Sequence, residues 1–252
     1  MKVKREWYDA IKFRQSRRTY EKKIISKGNR LKIIQLIDDI NNESGLHLQF
    51  IEDGEKFLTG FKASYGMITG TNYLIALAGN KNLKNLKKLI GYYGELLVLE
   101  CTSLGLGTCW IGETYHKSEC IKYLNLSEEE ELVCIISLGH VLNDKSFKER
   151  LLSKLSKNNK TFDDILIEKD DRIPRWVRCG INSVLLAPSC LNKKPIGYSY
   201  KNGILKAFVT KSNKGYEDVD LGISMAHFML GANSTGYDGK WSELNGENIF
   251  IK

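Results

Sequence analysis

The residues best suited to chemistry in this 252-residue chain form a short basic segment near its start, FRQSRRTY. Arg14, Arg17 and Arg18 place three guanidinium groups within five residues, and Ser16 adds a neutral hydroxyl donor. Guanidinium groups bind phosphate and carbonyl oxygens through paired N–H donors. The spacing indicates an anion-binding segment if it folds against another part of the chain. A solvated basic stretch would have the same composition.

The six cysteines and four histidines show no pattern typical of a metal site. No two cysteines form a CxxC pair, and most of them lie within apolar runs, so we expect buried thiols in a reducing compartment. The histidines also lack the spacing of metal ligands. The sequence therefore predicts neither an iron–sulfur cluster nor a zinc site.

The composition, 42% hydrophobic and 27% charged, is ordinary for a globular protein with an ample core. The formal net charge is +8, but lysines alternate with acidic residues along the whole chain, whereas nucleic-acid-binding proteins usually concentrate positive charge on one face. We expect attraction of small anionic molecules and no binding of nucleic acid. Because the N-terminus lacks an apolar signal segment and the longest apolar run, residues 132–138, is too short to span a bilayer, we expect a cytoplasmic protein without a membrane segment.

A long buried helix is predicted between Leu83 and Leu104, where apolar residues recur at steps of three and four. Its opposite side is also apolar, at Leu96, Val98 and Leu99. A helix of this kind must be covered on several sides, so we expect it at the centre of the fold. It should end at Gly105–Gly107, where glycine permits positive φ, and the chain should then run extended to Gly112.

Hydrophobic periodicity predicts the other elements. Further helices are expected over residues 29–40 and 118–124, directly after Pro174, and over 218–231. Strands are expected over residues 46–53, 73–78, 131–139, 195–200 and 204–210, with a short edge strand at 248–251. Residues 54–71 are interpreted as a long surface loop, and residues 143–171 as a charged helix that crosses between two halves.

The two halves share an order of elements: helix, strand, strand, buried helix. The first set begins at residue 29 and the second at Pro174. Because residue identity between the sets is low, the order indicates a duplication without demonstrating it. Two unrelated α/β layers in one domain would produce the same pattern.

Three segments together resemble the flavin-dependent nitroreductase family. Residues 14–18, RQSRR, are similar to its N-terminal R-x-S-x-R/K element, and residues 105–112, GLGTCWIG, are similar to the turn after its central helix. Residues 187–195, APSCLNKKP, are similar to its A-P-S-x-x-N-x-Q-P element, with Lys194 where the family often has glutamine. The resemblance covers nearly the whole chain and implies an α+β, nitroreductase-like fold.

The order of these segments departs from that of ordinary family members. Those proteins carry R-x-S-x-R and P-S-x-x-N within a few dozen residues and bind each flavin mononucleotide (FMN) between the two subunits of an obligate dimer. Here the P-S-x-x-N element lies far downstream. The resemblance therefore implies two degenerate α/β halves fused into an internal pseudo-dimer around long central helices. Residues 1–142 would form the first half, residues 143–171 the charged crossover and residues 172–252 the second half.

The resemblance also implies how the basic segment would be used. One composite site would hold one FMN per chain in a monomeric protein, with further self-association left open. Arg14 and Ser16 would contact the phosphate and the ribityl chain, and Arg18 would contact the pyrimidine edge of the flavin. Three residues of the second half would close over the flavin: Pro188, Ser189 and Asn192.

The turn from Thr108 to Glu113 would complete the site by the same resemblance. It would supply backbone donors and a wall near flavin N5, with Gly112 and Glu113 closest to that atom. No side chain need act as a nucleophile or a base, because in such proteins the cofactor carries the chemistry.

The implied function is that of an FMN-dependent oxidoreductase. It would move electrons from NADH or NADPH to a small nitro- or quinone-type acceptor by ping-pong exchange. Two alternatives stay open: a flavin-binding or flavin-handling protein without NAD(P)H turnover, and a catalytically dead scaffold. The chain has no G-x-G-x-x-G fingerprint and so does not indicate which nicotinamide would be used.

Overall fold

The part of the chain before residue 142 forms a four-stranded sheet with helices packed against it. The structure, a computed structural model, describes residues 2–59, 68–142, 144–146, 149–150 and 159–252. In chain order the first elements are α1 (Arg5–Ala10), α2 (Lys27–Ser44), β1 (Leu46–Ile51), β2 (Tyr73–Asn80), α3 (Leu86–Ser103), β3 (Gly107–Ile111), α4 (Lys117–Leu124) and β4 (Glu130–Gly139). The strand order is β1–β2–β4–β3, antiparallel throughout. The central strands β2 and β4 are buried along almost their whole length, as their unbroken apolar runs predict.

The part of the chain after residue 159 forms a second, five-stranded sheet. Its elements are α5 (Phe162–Ile165), β5 (Leu166–Lys169), α6 (Arg175–Val184), β6 (Ile196–Lys201), β7 (Ile204–Val209), α7 (Glu217–Asn233), β8 (Lys240–Leu244) and β9 (Glu247–Ile251). The strand order is β5–β6–β7–β9–β8, with β5 parallel to β6 and the other pairs antiparallel. None of the helices that the structure describes is long and apolar enough to span a membrane.

The helices α3 and α7 pack against each other at the centre of the molecule. A Cβ atom on Gly91 of α3 would lie 2.0 Å from the carbonyl oxygen of Val219, and a Cβ atom on Gly222 of α7 would lie 2.0 Å from that of Lys88. On each helix, the carbonyl in contact lies three residues before the contact glycine: Lys88 before Gly91, and Val219 before Gly222. Each helix therefore presents the same arrangement to the other. This reciprocity is what a pseudo-two-fold axis between two related halves requires.

Most of the helices and strands predicted from sequence are confirmed. The long helix is present and central, with Leu96, Leu97 and Leu99 fully buried, and it is followed by Gly105 at φ 76°. The mixed α+β fold class is also confirmed. The hairpin between β6 and β7 turns at Asn202 and Gly203, both at positive φ, as the Asn-Gly pair predicts.

Two predictions about the second sheet are wrong. The described part of residues 143–171 is not one crossing helix: Thr161 and Asp164 form a capping box that begins the short α5, and β5 follows at once because Ile165 and Leu166 are buried. The C-terminal strand β9 is not at the edge, since it lies between β7 and β8. The edge strand β8 was missed because Trp241 is its one large aromatic residue among polar neighbours.

The prediction of a surface loop over residues 54–71 is only partly correct. Phe57 and Leu58 are buried, and residues 55–57 form a single 3-10 turn. Gly54 and Thr71 join this segment to the sheet, because the Gly54 N–H bonds to the Asn72 carbonyl and the Thr71 hydroxyl bonds to the Leu138 carbonyl. Residues 60–67 lie outside the described residues.

Candidate functional site

A cavity of about 980 Å³ lies where the N-terminal basic segment, the turn after β3 and residues 185–194 meet. Its volume is at the upper end of the range of about 300–1,000 Å³ typical of small-molecule and cofactor sites. Its wall includes every residue predicted from sequence except Thr108: Arg14, Ser16, Arg18, Gly112, Glu113, Pro188, Ser189 and Asn192. Segments distant in sequence thus meet at one site.

The spacing of the basic segment follows from its extended backbone beside β3. Ser16 forms a parallel bridge with Thr108, and the Arg17 N–H donates to the Thr108 carbonyl at 2.8 Å. Side chains alternate along an extended chain. Arg14, Ser16 and Arg18 line the cavity, as this alternation predicts; Gln15 lines it as well, whereas Arg17 does not.

Arg17 has a structural role that the sequence did not separate from the others. Its Nε donates to Glu149 at 3.2 Å, and its Nη2 donates to the Leu142 carbonyl at 2.9 Å. Glu149 also accepts the Arg18 backbone N–H at 2.6 Å. Burial of Glu149 would raise its pKa, but these donors outweigh it and lower the pKa to about 2. Glu149 thus fixes the Arg17 side chain and the backbone at Arg18.

Thr108 differs from its predicted position. Its side chain is only 2% exposed, and it is not among the described residues that line the cavity. It pairs with Leu138 of β4 on one side and with the N-terminal segment on the other. Thr108 therefore holds Ser16 in place from inside the sheet, and the cavity wall begins one residue later, at Cys109.

A buried polar network behind Arg14 connects the two central helices. Glu95 of α3 is fully buried and lies 3.8 Å from Arg14 Nε. Its carboxylate accepts Trp110 Nε1–H at 2.9 Å and is hydrogen-bonded to His227 Nε2 of α7 at 2.8 Å. Burial lowers the pKa of Arg14 and of His227, and Glu95 opposes the shift in both. Sequence analysis missed this network. The signal that could have revealed it is an acid, Glu95, and a histidine, His227, each within an otherwise apolar helix.

The segment of residues 187–194 reaches the cavity through an unusual backbone. Leu191, Asn192 and Lys194 have φ values of 52°, 55° and 46°, in the left-handed region. Asp220 of α7 fixes this segment by accepting the Cys190 N–H at 2.7 Å. Burial raises the pKa of Asp220 to about 6. The segment is thereby attached to the second central helix.

Lys194 is folded back into this segment. Its ammonium donates to the Ala187 carbonyl, its N–H donates to Ser189 Oγ at 2.9 Å, and the residue is 7% exposed. Burial lowers its pKa to about 8, with the nearby Arg14 acting in the same direction. A lysine can therefore occupy this position because its ammonium bonds to a carbonyl of the same segment.

Gly112 and Glu113 meet the second half at Tyr216. Tyr216 Oη donates to Glu113 Oε1 at 2.8 Å, and a Cβ atom on Gly112 would lie 2.7 Å from Tyr216 Cζ. Burial and the neighbouring carboxylate raise the pKa of the Tyr216 hydroxyl, which keeps it a hydrogen-bond donor. All three residues line the cavity.

The described residues contain no group of three or more His, Cys, Asp or Glu arranged to hold a metal ion. The six cysteines are free thiols; four are buried, and Cys179 and Cys190 are half-buried. Cys109 lies on the cavity wall, where burial raises its pKa despite the nearby Arg18 and Arg14. The described cavity wall also carries guanidinium, ammonium, hydroxyl and amide groups together with three carboxylates.

Solved structures named as nitroreductases superpose on this chain. A crystal structure of a "putative nitroreductase" from Thermotoga maritima MSB8 superposes with a TM-score of 0.62 at 20% identity, covering 97% of this chain and 92% of that one. An "FMN-dependent nitroreductase" from Clostridium difficile R20291 has a TM-score of 0.46 at 18% identity, covering 60% of this chain and 98% of that one. No curated protein matches the chain.

The family comparison extends over most of the sequence. The family model described as "Putative TM nitroreductase" matches residues 6–232. That range includes all of α3, all but the last residue of α7 and every residue that the sequence predicted for the site. The chain belongs to the flavin-dependent nitroreductase family.

Proposed function

We propose that the protein is an FMN-dependent oxidoreductase that moves electrons from NADH or NADPH to a small nitro- or quinone-type acceptor. The observation that carries this proposal is the meeting of Arg14, Ser16 and Arg18 with Pro188–Asn192 around one cavity. These are the elements through which the family resemblance implies contact with FMN. Their meeting within one chain supports a single composite site with one FMN per chain.

The donors in the cavity fit an anionic flavin nucleotide. Arg14 Nε is buried and has no hydrogen-bond partner among the described residues, so it has a donor available to a ligand. The lining contains six basic side chains and three acidic ones. All three acids are already engaged by protein groups, since Glu149 pairs with Arg17, Asp220 accepts the Cys190 N–H and Glu113 accepts the Tyr216 hydroxyl. The remaining positive charge suits the phosphate of FMN.

When bound, FMN would supply the electron transfer between nicotinamide and acceptor. The protein would bind and orient it. We assign Arg14 and Ser16 to the phosphate and ribityl chain, and Arg18 to the pyrimidine edge. A guanidinium beside that edge favours the reduced, more negative form and so raises the reduction potential.

The segment of residues 187–194 would cover the cofactor from the other half. Its left-handed residues bring backbone groups and the Ser189 and Asn192 side chains to the cavity wall. Asp220 anchors the segment, so it does not have to be ordered when the ligand binds. Preorganisation of this kind reduces the entropic cost of binding.

The proposal is tested with the purified full chain. Titration with FMN, followed by quenching of flavin fluorescence, should reach an end point of one FMN per chain. Anaerobic addition of NADH and of NADPH should then bleach the visible flavin band, and a quinone should restore it. Protein that does not bind added FMN would refute the proposal. Bound FMN that only dithionite reduces would favour a flavin-binding protein without NAD(P)H turnover.

A further inference from the structure

Tyr216 forms a fixed contact between the two halves at the cavity. It lies just before the first turn of α7 and reaches the turn after β3, where its ring packs on Gly112. Its hydroxyl donates to Glu113 Oε1 at 2.8 Å. The two hydrogen-bonded residues are 103 positions apart in sequence, so this is a true contact between distant segments.

The backbone of Tyr216 is fixed as well. Its N–H donates to the Asn213 carbonyl at 3.1 Å, and its carbonyl accepts the Asp220 N–H at 2.9 Å. Asp220 is the residue that anchors the segment of residues 187–194. The first turn of α7 thus holds both the Tyr216 backbone and the segment of residues 187–194.

The contact leaves no room for a larger residue at position 112. A Cβ atom on Gly112 would lie 2.7 Å from Cζ, 2.9 Å from Oη and 3.2 Å from Cε1 of Tyr216, closer than carbon and oxygen atoms approach without displacement. The ring therefore lies directly on the glycine backbone, and both residues line the cavity at this point.

This geometry has a consequence for the acceptor. Gly112 and Glu113 are the residues assigned to the vicinity of flavin N5, so an aromatic ring held against them narrows the approach to the reactive edge. We propose that Tyr216 determines specificity by limiting the size of the aromatic acceptor that can enter. The proposal rests on the proposed function. The acceptors that we expect to enter are small planar aromatic molecules, which can stack on the face of the tyrosine ring.

The test measures binding, so it does not depend on turnover. Benzoate and 2-naphthoate, one ring and two, are titrated into oxidised holoprotein, and their dissociation constants are read from changes in the flavin absorbance spectrum. Tyr216→Ala should tighten 2-naphthoate relative to benzoate by about tenfold, the size of discrimination that pocket shape alone gives. Tyr216→Phe, which keeps the ring, should leave most of the wild-type ratio in place.

Two further variants separate a size limit from a general loss of structure. Gly112→Ala should weaken both ligands because it displaces the ring, and the double variant Gly112→Ala/Tyr216→Ala should recover binding of both. Tyr123→Ala is the matched control, since Tyr123 is half exposed on α4 and lies outside the cavity wall. It should leave the ratio at the wild-type value.

The outcomes distinguish this inference from the proposed function. Wild-type protein that fails to bind FMN would refute the proposed function. Wild-type protein that binds FMN and is reduced by a nicotinamide, with a ligand ratio that Tyr216→Ala leaves unchanged, would refute only the role of Tyr216. The same holds if the double variant binds no better than Gly112→Ala.

Discussion

Glu95 on α3 and His227 on α7 are joined by a 2.8 Å hydrogen bond between Oε1 and Nε2, and neither residue is exposed to solvent. His227 Nδ1 is 3.0 Å from the Ser183 carbonyl, which orients the ring. Arg14 lies 3.8 Å from the same carboxylate oxygen. One buried acid therefore connects both central helices with an arginine on the cavity wall.

Removal of this acid should destabilise the protein strongly. Glu95→Ala would remove the carboxylate that is bonded to Trp110 Nε1 and His227 Nε2 and lies beside Arg14, and loss of one member of a buried ion pair typically costs about 3–5 kcal/mol. Glu95→Gln keeps an acceptor for Trp110 and should cost less. Urea denaturation of the apoprotein measures the free energy of unfolding. Glu6→Ala, at an exposed position in α1, is the control. An unfolding free energy of Glu95→Ala equal to that of this control would contradict the network's importance.

The two arginines on the cavity wall should control FMN affinity. Arg14→Ala and Arg18→Ala each remove a guanidinium that faces the cavity, and a hydrogen bond to a charged group contributes about 1.5–3 kcal/mol, so the dissociation constant should rise by roughly 10- to 100-fold. Fluorescence quenching during FMN titration measures the change. Arg172→Ala, at an exposed position outside the cavity wall, should bind FMN as the wild type does. If both cavity variants bind FMN with wild-type affinity, these arginines do not contact the cofactor.

The helix contact at Gly91 and Gly222 should tolerate no side chain. Alanine at either position would place a Cβ atom 2.0 Å from a backbone carbonyl oxygen, and rigid backbone cannot yield as a side chain can. Overpacking of a core typically costs about 1–3 kcal/mol, and we expect each variant at or above the upper end. Gly28→Ala is the matched control because a Cβ atom there meets no atom within 4 Å. Thermal unfolding should show a large loss for Gly91→Ala and Gly222→Ala and none for Gly28→Ala.

The sequence predicted those parts of the fold that depend on local patterns. Periodicity located α3, α7 and the buried strands, because a helix or strand that faces a core repeats its apolar residues at a fixed interval. The edge strand β8 and the short β5 were missed because their patterns are weak and their partners are distant. Pairing with β9 and β6 stabilises them, and such partners are not visible in a local window.

The site was predictable only where a family pattern exists. The arginines and the 187–195 segment could be located from motifs, but Glu95, His227 and Tyr216 belong to no motif. Their roles come from contacts across 132 and 103 residues, which no single-sequence pattern encodes. The roles of Gly91 and Gly222 were hidden for the same reason, since a glycine within a helix does not reveal what packs against it.

Lys194 gives a prediction about pH because its burial lowers its pKa to about 8, from an ordinary value near 10.5. Between those two values the unfolded chain holds a proton that the folded chain has released, so the wild-type free energy of unfolding should rise as pH increases from about 8 to about 10.5. Lys194→Gln, the residue that the family often carries, removes this titration and the cost of a buried ammonium. It should be more stable than wild type at pH 7, and the difference should shrink as the pH rises.

Urea denaturation of both proteins across this pH range provides the measurement, with Lys193→Gln as the matched control. Lys193 is the exposed neighbour in the same segment, so its replacement should leave the wild-type pH dependence intact. If the stability of Lys194→Gln follows the wild-type curve at every pH, burial of the Lys194 ammonium does not destabilise the folded protein. In that case its hydrogen bond to the Ala187 carbonyl would fully offset the desolvation of the ammonium, and the lysine would substitute for glutamine without a cost in stability.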